Sequence, residues 1–213
     1  MNIPFTVEQF LDVFGSYNTS VSPIQILFIL LALIIIFLAV KKRNYSDKVI
    51  SGILSFFWLW IGVVYHLIFF SGINPAAYAF GAINITQAIL FFVYGIVRKD
   101  LTFGFKSNVA GITGIVFIVY ALIIYPLLGI QFGHIYPRTP TFGLPCPTTI
   151  FTFGILLWTR KKVSPVIIGI PLLWSIVGFT AALSLGIYQD FGLLAAGLLG
   201  SALIILKNNK PST

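Results

Sequence analysis

Charge is scarce in this chain. Only 8% of its 213 residues are charged, against about 25% in a soluble domain, too few to cover a water-exposed surface. Cysteine occurs once, as Cys146, which excludes an internal disulfide and leaves the redox compartment unread. The first 21 residues hold no Lys or Arg, so the charged n-region of a cleavable signal peptide is missing. No Asp, Glu, Lys or Arg sits in the middle of an apolar block, which argues against a carboxylate proton relay or a voltage sensor. The final apolar block has no lysine, which excludes a retinal Schiff base. No phosphate-binding glycine motif, HExxH, serine elbow or pair of catalytic carboxylates occurs.

Hydrophobic residues, by contrast, make up 58% of the chain, and they come in long blocks, as when lipid is the solvent. The expected fold class is therefore all-α: one transmembrane helix bundle. The net charge of +8 does not indicate nucleic acid, because the cations sit in short clusters between apolar blocks and not in a stripe beside aromatic platforms.

Residues 1–22 read as an extracytoplasmic amphipathic segment. Thr6 and Gln9 fit a capping box, and Val7, Phe10, Leu11 and Phe14 share one helical face. Such a helix either lies on the outer membrane surface or packs against the bundle. Seven apolar segments follow within residues 23–206, at 23–40, 49–70, 75–97, 109–130, an irregular fifth ending at 159, then 165–186 and 191–206. Ser22 and Asn74 are expected caps, with Pro23 and Pro75 at first helical positions. Most segments approach the roughly 20 residues a spanning helix needs. Residues 207–213 form a tail.

Orientation follows from the cations. Lys41, Lys42, Arg43 and Lys48 follow segment one, and Arg98, Lys99 and Lys106 follow segment three. Arg160, Lys161 and Lys162 follow segment five, and Lys207 and Lys210 follow segment seven. If all seven segments span, twelve of the thirteen Lys and Arg residues share one side and only Arg138 is opposite. Basic loops stay cytoplasmic, which puts the N-terminus outside and the C-terminus inside.

The fifth segment is broken. Pro140, Gly143, Pro145 and Pro147 forbid a continuous helix, so the regular helix is expected to start near Thr148 and reach Thr159, about 18 Å of rise against a hydrocarbon core of about 30 Å. Residues 141–147 then enter the membrane as non-helical backbone, which must be buried in protein or line a watery cavity. Half-helices starting within the membrane mark binding sites in transporters.

Candidate solute-binding residues gather near that break: Cys146, Thr148 and Thr149 at the helix start, His66 near the outer end of segment two, Asn74 and Asn84 on segment three, and His134 and Arg138 in the outer loop. Asp190 opens segment seven on the same side, and Gln87 lies deeper. A helix N-terminus favours a thiolate, although a small cysteine filling space beside prolines explains Cys146 equally. His66, His134 and Cys146 together suit a soft or borderline metal, but no CxxC or HxxxH spacing supports it, and a histidine in a bundle is commonly a packing residue. No cofactor is indicated.

A parallel repeat of three spans, one linker span and three spans has faint support. Val49-Ile50-Ser51-Gly52-Ile53 resembles Val166-Ile167-Ile168-Gly169-Ile170, and each precedes a Trp-x-x-x-Gly, at Trp58–Gly62 and Trp174–Gly178. The small residues Gly192, Ala196 and Gly200 fit close helix packing. The aromatic run at Phe56, Phe57, Trp58 and Trp60 reads as lipid or core packing.

The stretches PFTVEQFLDVFGSYN (4–18), GVVYHLIFFSGINPAA (62–77) and YPRTPTFGLPCPTTIFTFG (136–154) resemble a family of bacterial multi-pass membrane proteins classed as a domain of unknown function, over nearly the whole chain. The resemblance implies a prokaryotic cytoplasmic membrane and supplies no activity. From the residues, the expected function is a small transporter or permease with an outward-facing site for a small solute or soft metal ion. A membrane-bound thiol or metal enzyme using Cys146 with His66 or His134, and a non-catalytic partner or sensor subunit, are the rivals. The lipid bilayer is the expected partner, and a homo-oligomer is compatible with the sequence.

Overall fold

Apolar side chains cannot satisfy backbone N–H and C=O groups, so a chain this rich in them folds into helices that satisfy those groups internally. A computed structural model describes residues 4–209, in which helices form α1 (Val7–Val21), α2 (Ile24–Val40), α3 (Ser46–Gly72), α4 (Ala77–Val97), α5 (Val109–Gln131), α6 (Pro145–Leu157), α7 (Pro165–Leu185) and α8 (Tyr188–Asn209). Five of these, α3, α4, α5, α7 and α8, are long and apolar enough to cross a membrane. The count becomes six if α1 and α2, bent by 84° at their junction, form one broken span. Of the seven apolar segments, then, the first folds as a helix of 17 residues and the fifth as one of 13. Large apolar side chains such as Ile26, Leu30 and Phe37 on α2, and Leu198, Leu199 and Ile205 on α8, stand exposed. Outward apolar faces of this kind are compatible with a membrane location.

The loops carrying the basic clusters meet at one end of the bundle. Phe103 and Thr159 form a single antiparallel bridge, the Arg160 N–H donates to the Thr102 carbonyl at 2.7 Å, and the Phe105 N–H donates to Ala39 at 3.1 Å. Lys42 Nζ donates to the Phe103 carbonyl at 2.8 Å, and Lys207 Nζ donates to the Thr159 hydroxyl at 2.6 Å. Lys210 lies outside the described residues. At the other end, α1 meets the loop between α5 and α6.

α6 is the central rod. Every residue from Pro147 to Leu157 is buried, as expected of a helix apolar on all sides. It starts at Pro145, three residues earlier than expected at Thr148. The physical reason is that Pro145 and Pro147 fall in the first turn, where backbone N–H groups have no helical acceptor and a missing donor costs nothing. The preceding residues, 142–144, are non-helical and buried in protein. Gly143 permits this turn twice over: its φ is +104°, and a β-carbon there would stand 3.2 Å from the Phe28 ring. Two other starts differ slightly. α2 begins at Ile24 with Pro23 as the cap residue and no side-chain cap from Ser22, because α1 runs up to Val21. α4 begins at Ala77, and Asn74 Oδ1 accepts the Ala76 N–H at 3.0 Å.

α1 carries its capping box: the Gln9 N–H donates to Thr6 Oγ1 at 3.2 Å, and the Thr6 N–H donates to Gln9 Oε1 at 2.9 Å. Of the two readings for this helix, packing against the bundle is what occurs. Its buried residues are Val13, Phe14, Gly15, Tyr17 and Asn18; of the expected stripe, Phe14 is buried, Phe10 and Leu11 are partly buried against the bundle, and Val7 is exposed. Asn18 anchors this face. Its amide donates to the carbonyls of Pro137 and Thr139, both at 2.7 Å, and its Oδ1 accepts the Thr141 hydroxyl at 2.7 Å. α1 is therefore clamped to the segment leading into α6.

Close helix contact relies on small residues. A β-carbon on Gly62 of α3 would stand 2.9 Å from the Gly81 carbonyl oxygen of α4, and one on Gly81 would stand 3.1 Å from that of Gly62. On α8, Gly192 abuts the Tyr120 ring and Gly200 the Phe153 ring. The two helix trios that a parallel repeat would superpose pack differently: α6 lies against α8, whereas α2 touches α4 at most marginally.

Candidate functional site

α3 does not end as a regular helix. Over Ile61–Phe69 it widens into π-helical geometry, a distortion found frequently at functional sites. His66 lies in this stretch, wholly buried. Its imidazole is ringed by aromatic side chains, with centroids at 5.0 Å for Trp174, 5.1 Å for Tyr65, 5.7 Å for Phe80 and 6.0 Å for Phe70. Neither His66 nitrogen has a hydrogen-bond partner among the described residues. Trp174 Nε1 has no oxygen or nitrogen partner there, and the group beside it is the Cys146 sulfur, a weak acceptor. Other buried polar atoms are unpaired too, Ser51 Oγ, Asn84 Oδ1, Gln87 Oε1 and Thr102 Oγ1 among them, but His66 and Trp174 share one cavity.

Both residues border a cavity of about 480 Å³ at the end of the bundle opposite the basic loops. Phe10 and Phe14 of α1 form one wall and Val177 to Leu185 of α7 another, while Leu144 to Pro147 enter from the broken segment. Tyr125, Cys146 and Asp190 also line it. The Tyr125 hydroxyl donates to Asp190 Oδ1 at 2.6 Å, and the Cys146 thiol stands beside that pair. Trp174 Nε1 and the Cys146 sulfur flank Gly178, 3.6 and 3.8 Å from where a β-carbon would stand. Asn74 lies at the cavity's edge. The walls are overwhelmingly apolar, with a few convergent polar groups, as small-molecule pockets are.

The structure thus brings His66, Asn74 and Cys146 together around one cavity and places the other candidates elsewhere. The Asn84 amide donates to Phe80 of its own helix at 2.8 Å. The Thr148 hydroxyl accepts the Gly143 N–H at 3.3 Å, and the Thr149 hydroxyl donates to Pro145 at 2.8 Å, so both secure the broken segment. His134 Nδ1 lies 3.4 Å from Gln189 Nε2, and partial burial lowers the His134 pKa below its ordinary 6.5. Arg138 pairs with Asp12 of α1. Among the described residues, no three His, Cys, Asp or Glu side chains gather closely enough to hold a metal. No hydrogen bond joins Cys146 to a histidine either; its acidic neighbour is Asp190.

Two cavity residues are absent from the candidates read from sequence, Tyr125 and Trp174; Asp190 is noted there only for its place at the start of the last helix, and Trp174 only as part of a possible repeat. An aromatic residue in an apolar helix looks like packing.

Residues 7–213 match a family of unknown function, DUF6064. The chain belongs to that family. No curated protein and no solved structure matches it. Membership of DUF6064 covers the cavity completely from Phe10 onward, and it assigns no activity there.

Proposed function

We propose that this DUF6064 protein is a small permease of the prokaryotic cytoplasmic membrane, with seven spans, its N-terminus outside and its cavity as the outward-facing entrance for a small amphipathic solute. Support for the topology comes from the convergence of the basic loops at one end. α6, about 20 Å long, is too short to span by itself; residues 142–144 and the overlying α1 make up the missing depth in protein instead of lipid. The observation that carries the functional reading is the cavity itself, which lies where the fifth segment breaks and borders buried, unpaired polar atoms.

The soft-metal form of the reading loses its footing without a three-ligand cluster. The thiol-enzyme reading needs a histidine in hydrogen-bond reach of Cys146, and no such contact occurs. A sensor or partner subunit needs no cavity.

Cys146 is the only cysteine, so its labelling reports the cavity directly. A maleimide made impermeant by a long uncharged polyether tail, added to intact cells, should label it, and the same reagent enclosed inside sealed vesicles should not. Labelling solely from the cytoplasmic side would overturn the orientation. Uptake of a panel of radiolabelled amphipathic solutes into proteoliposomes should then fall in Cys146→Trp, which fills the cavity. Equal uptake of every solute by wild-type, variant and protein-free vesicles would remove the permease reading.

A further inference from the structure

The orphaned groups specify more about the solute than that it fits, and the inference drawn from them rests on the cavity reading above. Trp174 Nε1–H can only donate a hydrogen bond, while a neutral imidazole donates through one nitrogen and accepts through the other. Trp174 is 8% exposed and His66 fully buried. Both border the same cavity; His66 has no partner among the described residues, and Trp174 Nε1 has only the weakly accepting Cys146 sulfur beside it. The requirement common to both is an acceptor arriving from the cavity.

The identity of that acceptor is narrowed by charge. Among the described residues no Lys or Arg borders the cavity, so a carboxylate or phosphate would enter an apolar recess with no counter-charge. An ammonium group offers no acceptor and would leave both N–H groups unsatisfied. A metal ion finds no ligand set among the described residues. Tyr125 donates to Asp190 Oδ1; the second carboxyl oxygen can take a donor from the solute but does not supply the acceptor that the Trp174 N–H needs. A carbonyl oxygen accepts from both orphan donors, and a hydroxyl accepts from Trp174 while donating to the free imidazole nitrogen. The body behind that oxygen meets Phe70, Phe80 and Tyr65, which favour a flat or ring-shaped apolar group.

We infer that the cavity selects an uncharged solute whose apolar ring carries an oxygen head, a phenol, alcohol or ketone, received by Trp174 Nε1–H and the His66 imidazole.

The probes are 2-naphthol and 2-methylnaphthalene, similar in shape and differing in the oxygen. Wild-type protein in lipid nanodiscs is alkylated at Cys146 with N-ethylmaleimide at increasing probe, with concentrations counted in the lipid phase. Binding is read in parallel as the thermal-unfolding shift of the same samples, which does not depend on thiol access. Half-protection by 2-naphthol is expected at about one-tenth the concentration that 2-methylnaphthalene requires, since leaving buried polar groups unmatched is the costly outcome. In His66→Phe and Trp174→Phe the ratio should shrink to under about threefold, chiefly through weaker 2-naphthol binding. Equal potency of the two probes in wild type, in both readouts, would overturn the inference while leaving a solute cavity in place. Binding of neither probe would overturn the inference and the cavity reading together. The wild-type ratio decides the matter even if a variant fails to fold.

Discussion

At the basic end of the bundle, Lys42 and Lys207 donate to the backbone of a neighbouring loop and Asp47 accepts from it, whereas at the cavity end both His66 nitrogens are unpartnered among the described residues. Both ends are built from helix termini and short loops, and each leaves some buried polar atom unpaired, Thr102 Oγ1 at the basic end included, but at the cavity end the unpaired nitrogens border a recess. The contrast is physical. A cation beside a carbonyl satisfies both partners and locks a loop in place. An orphaned nitrogen costs about 1–3 kcal/mol when buried, and a fold keeps it where something outside the chain can satisfy it. Binding sites are where such locally unfavourable choices are expected.

The sharpest way to break this comparison is to disturb the clamp that supports the cavity end. Asn18→Leu removes hydrogen bonds to Pro137, Thr139 and Thr141 and should cost about 3 kcal/mol, because a buried and a partly buried carbonyl lose their donor and the Thr141 hydroxyl its acceptor. The measurement is denaturant unfolding in detergent; a loss under about 1 kcal/mol would show that α1 is not clamped. At the basic end, Asp47→Ala frees the Phe103 N–H, which donates to it at 2.7 Å, and releases Lys42. A loss of about 2 kcal/mol is expected from a charged hydrogen bond that is only partly buried, read in the same assay.

His66→Phe should have the opposite sign. It removes two unpaired buried nitrogens from an aromatic nest that accepts another ring, so stability should rise by about 1 kcal/mol while discrimination between 2-naphthol and its hydrocarbon analogue is lost. A clear destabilisation would mean that the imidazole holds the fold together and does not await a ligand. The smallest effect concerns pH. His134 is lowered from 6.5 by burial, so the unfolded chain takes up a proton before the folded one does. The stability it contributes is present above about pH 6.5 and declines as pH falls below that value. Thermal melts from pH 7.5 to 5.5 should show a slight fall that His134→Gln flattens; an identical slope in the variant would assign the effect elsewhere.

Much of the fold is legible in the residues. The apolar blocks at 49–70, 75–97, 109–130, 165–186 and 191–206 each fold as a long helix close to those limits, because a run of apolar side chains has one way to satisfy its backbone away from water. The capping box at Thr6 and Gln9 forms for equally local reasons. The start of α6 was misplaced by three residues, since prolines that break a helix interior are tolerated in a first turn, and which of the two applies depends on what precedes them. The role of Asn18 is hidden in the sequence because the partner carbonyls lie about 120 residues away.

The site was half legible. His66, Asn74 and Cys146 drew notice as rare polar groups near a predicted break, and they do border one cavity. Thr148, Thr149, His134 and Arg138 looked equally suitable, and each is engaged by a neighbour instead; Asn84 donates within its own helix and keeps an unpaired Oδ1, but it does not border the cavity. Sequence shows which groups could bind, but not which ones the fold has already paired.

Composition and spacing determined that this chain is helical, that its helices are apolar enough for lipid, and that its cations cluster in alternate loops, because each of these is a property of short stretches of chain. Tertiary structure alone decided that α6 is the buried axis, that α1 folds down onto the broken segment, and that Trp174, Tyr125 and Asp190 join His66 and Cys146 around one cavity. Those outcomes depend on which hydrogen bonds distant segments complete for one another, and a buried polar atom becomes a binding group only where that completion stops short.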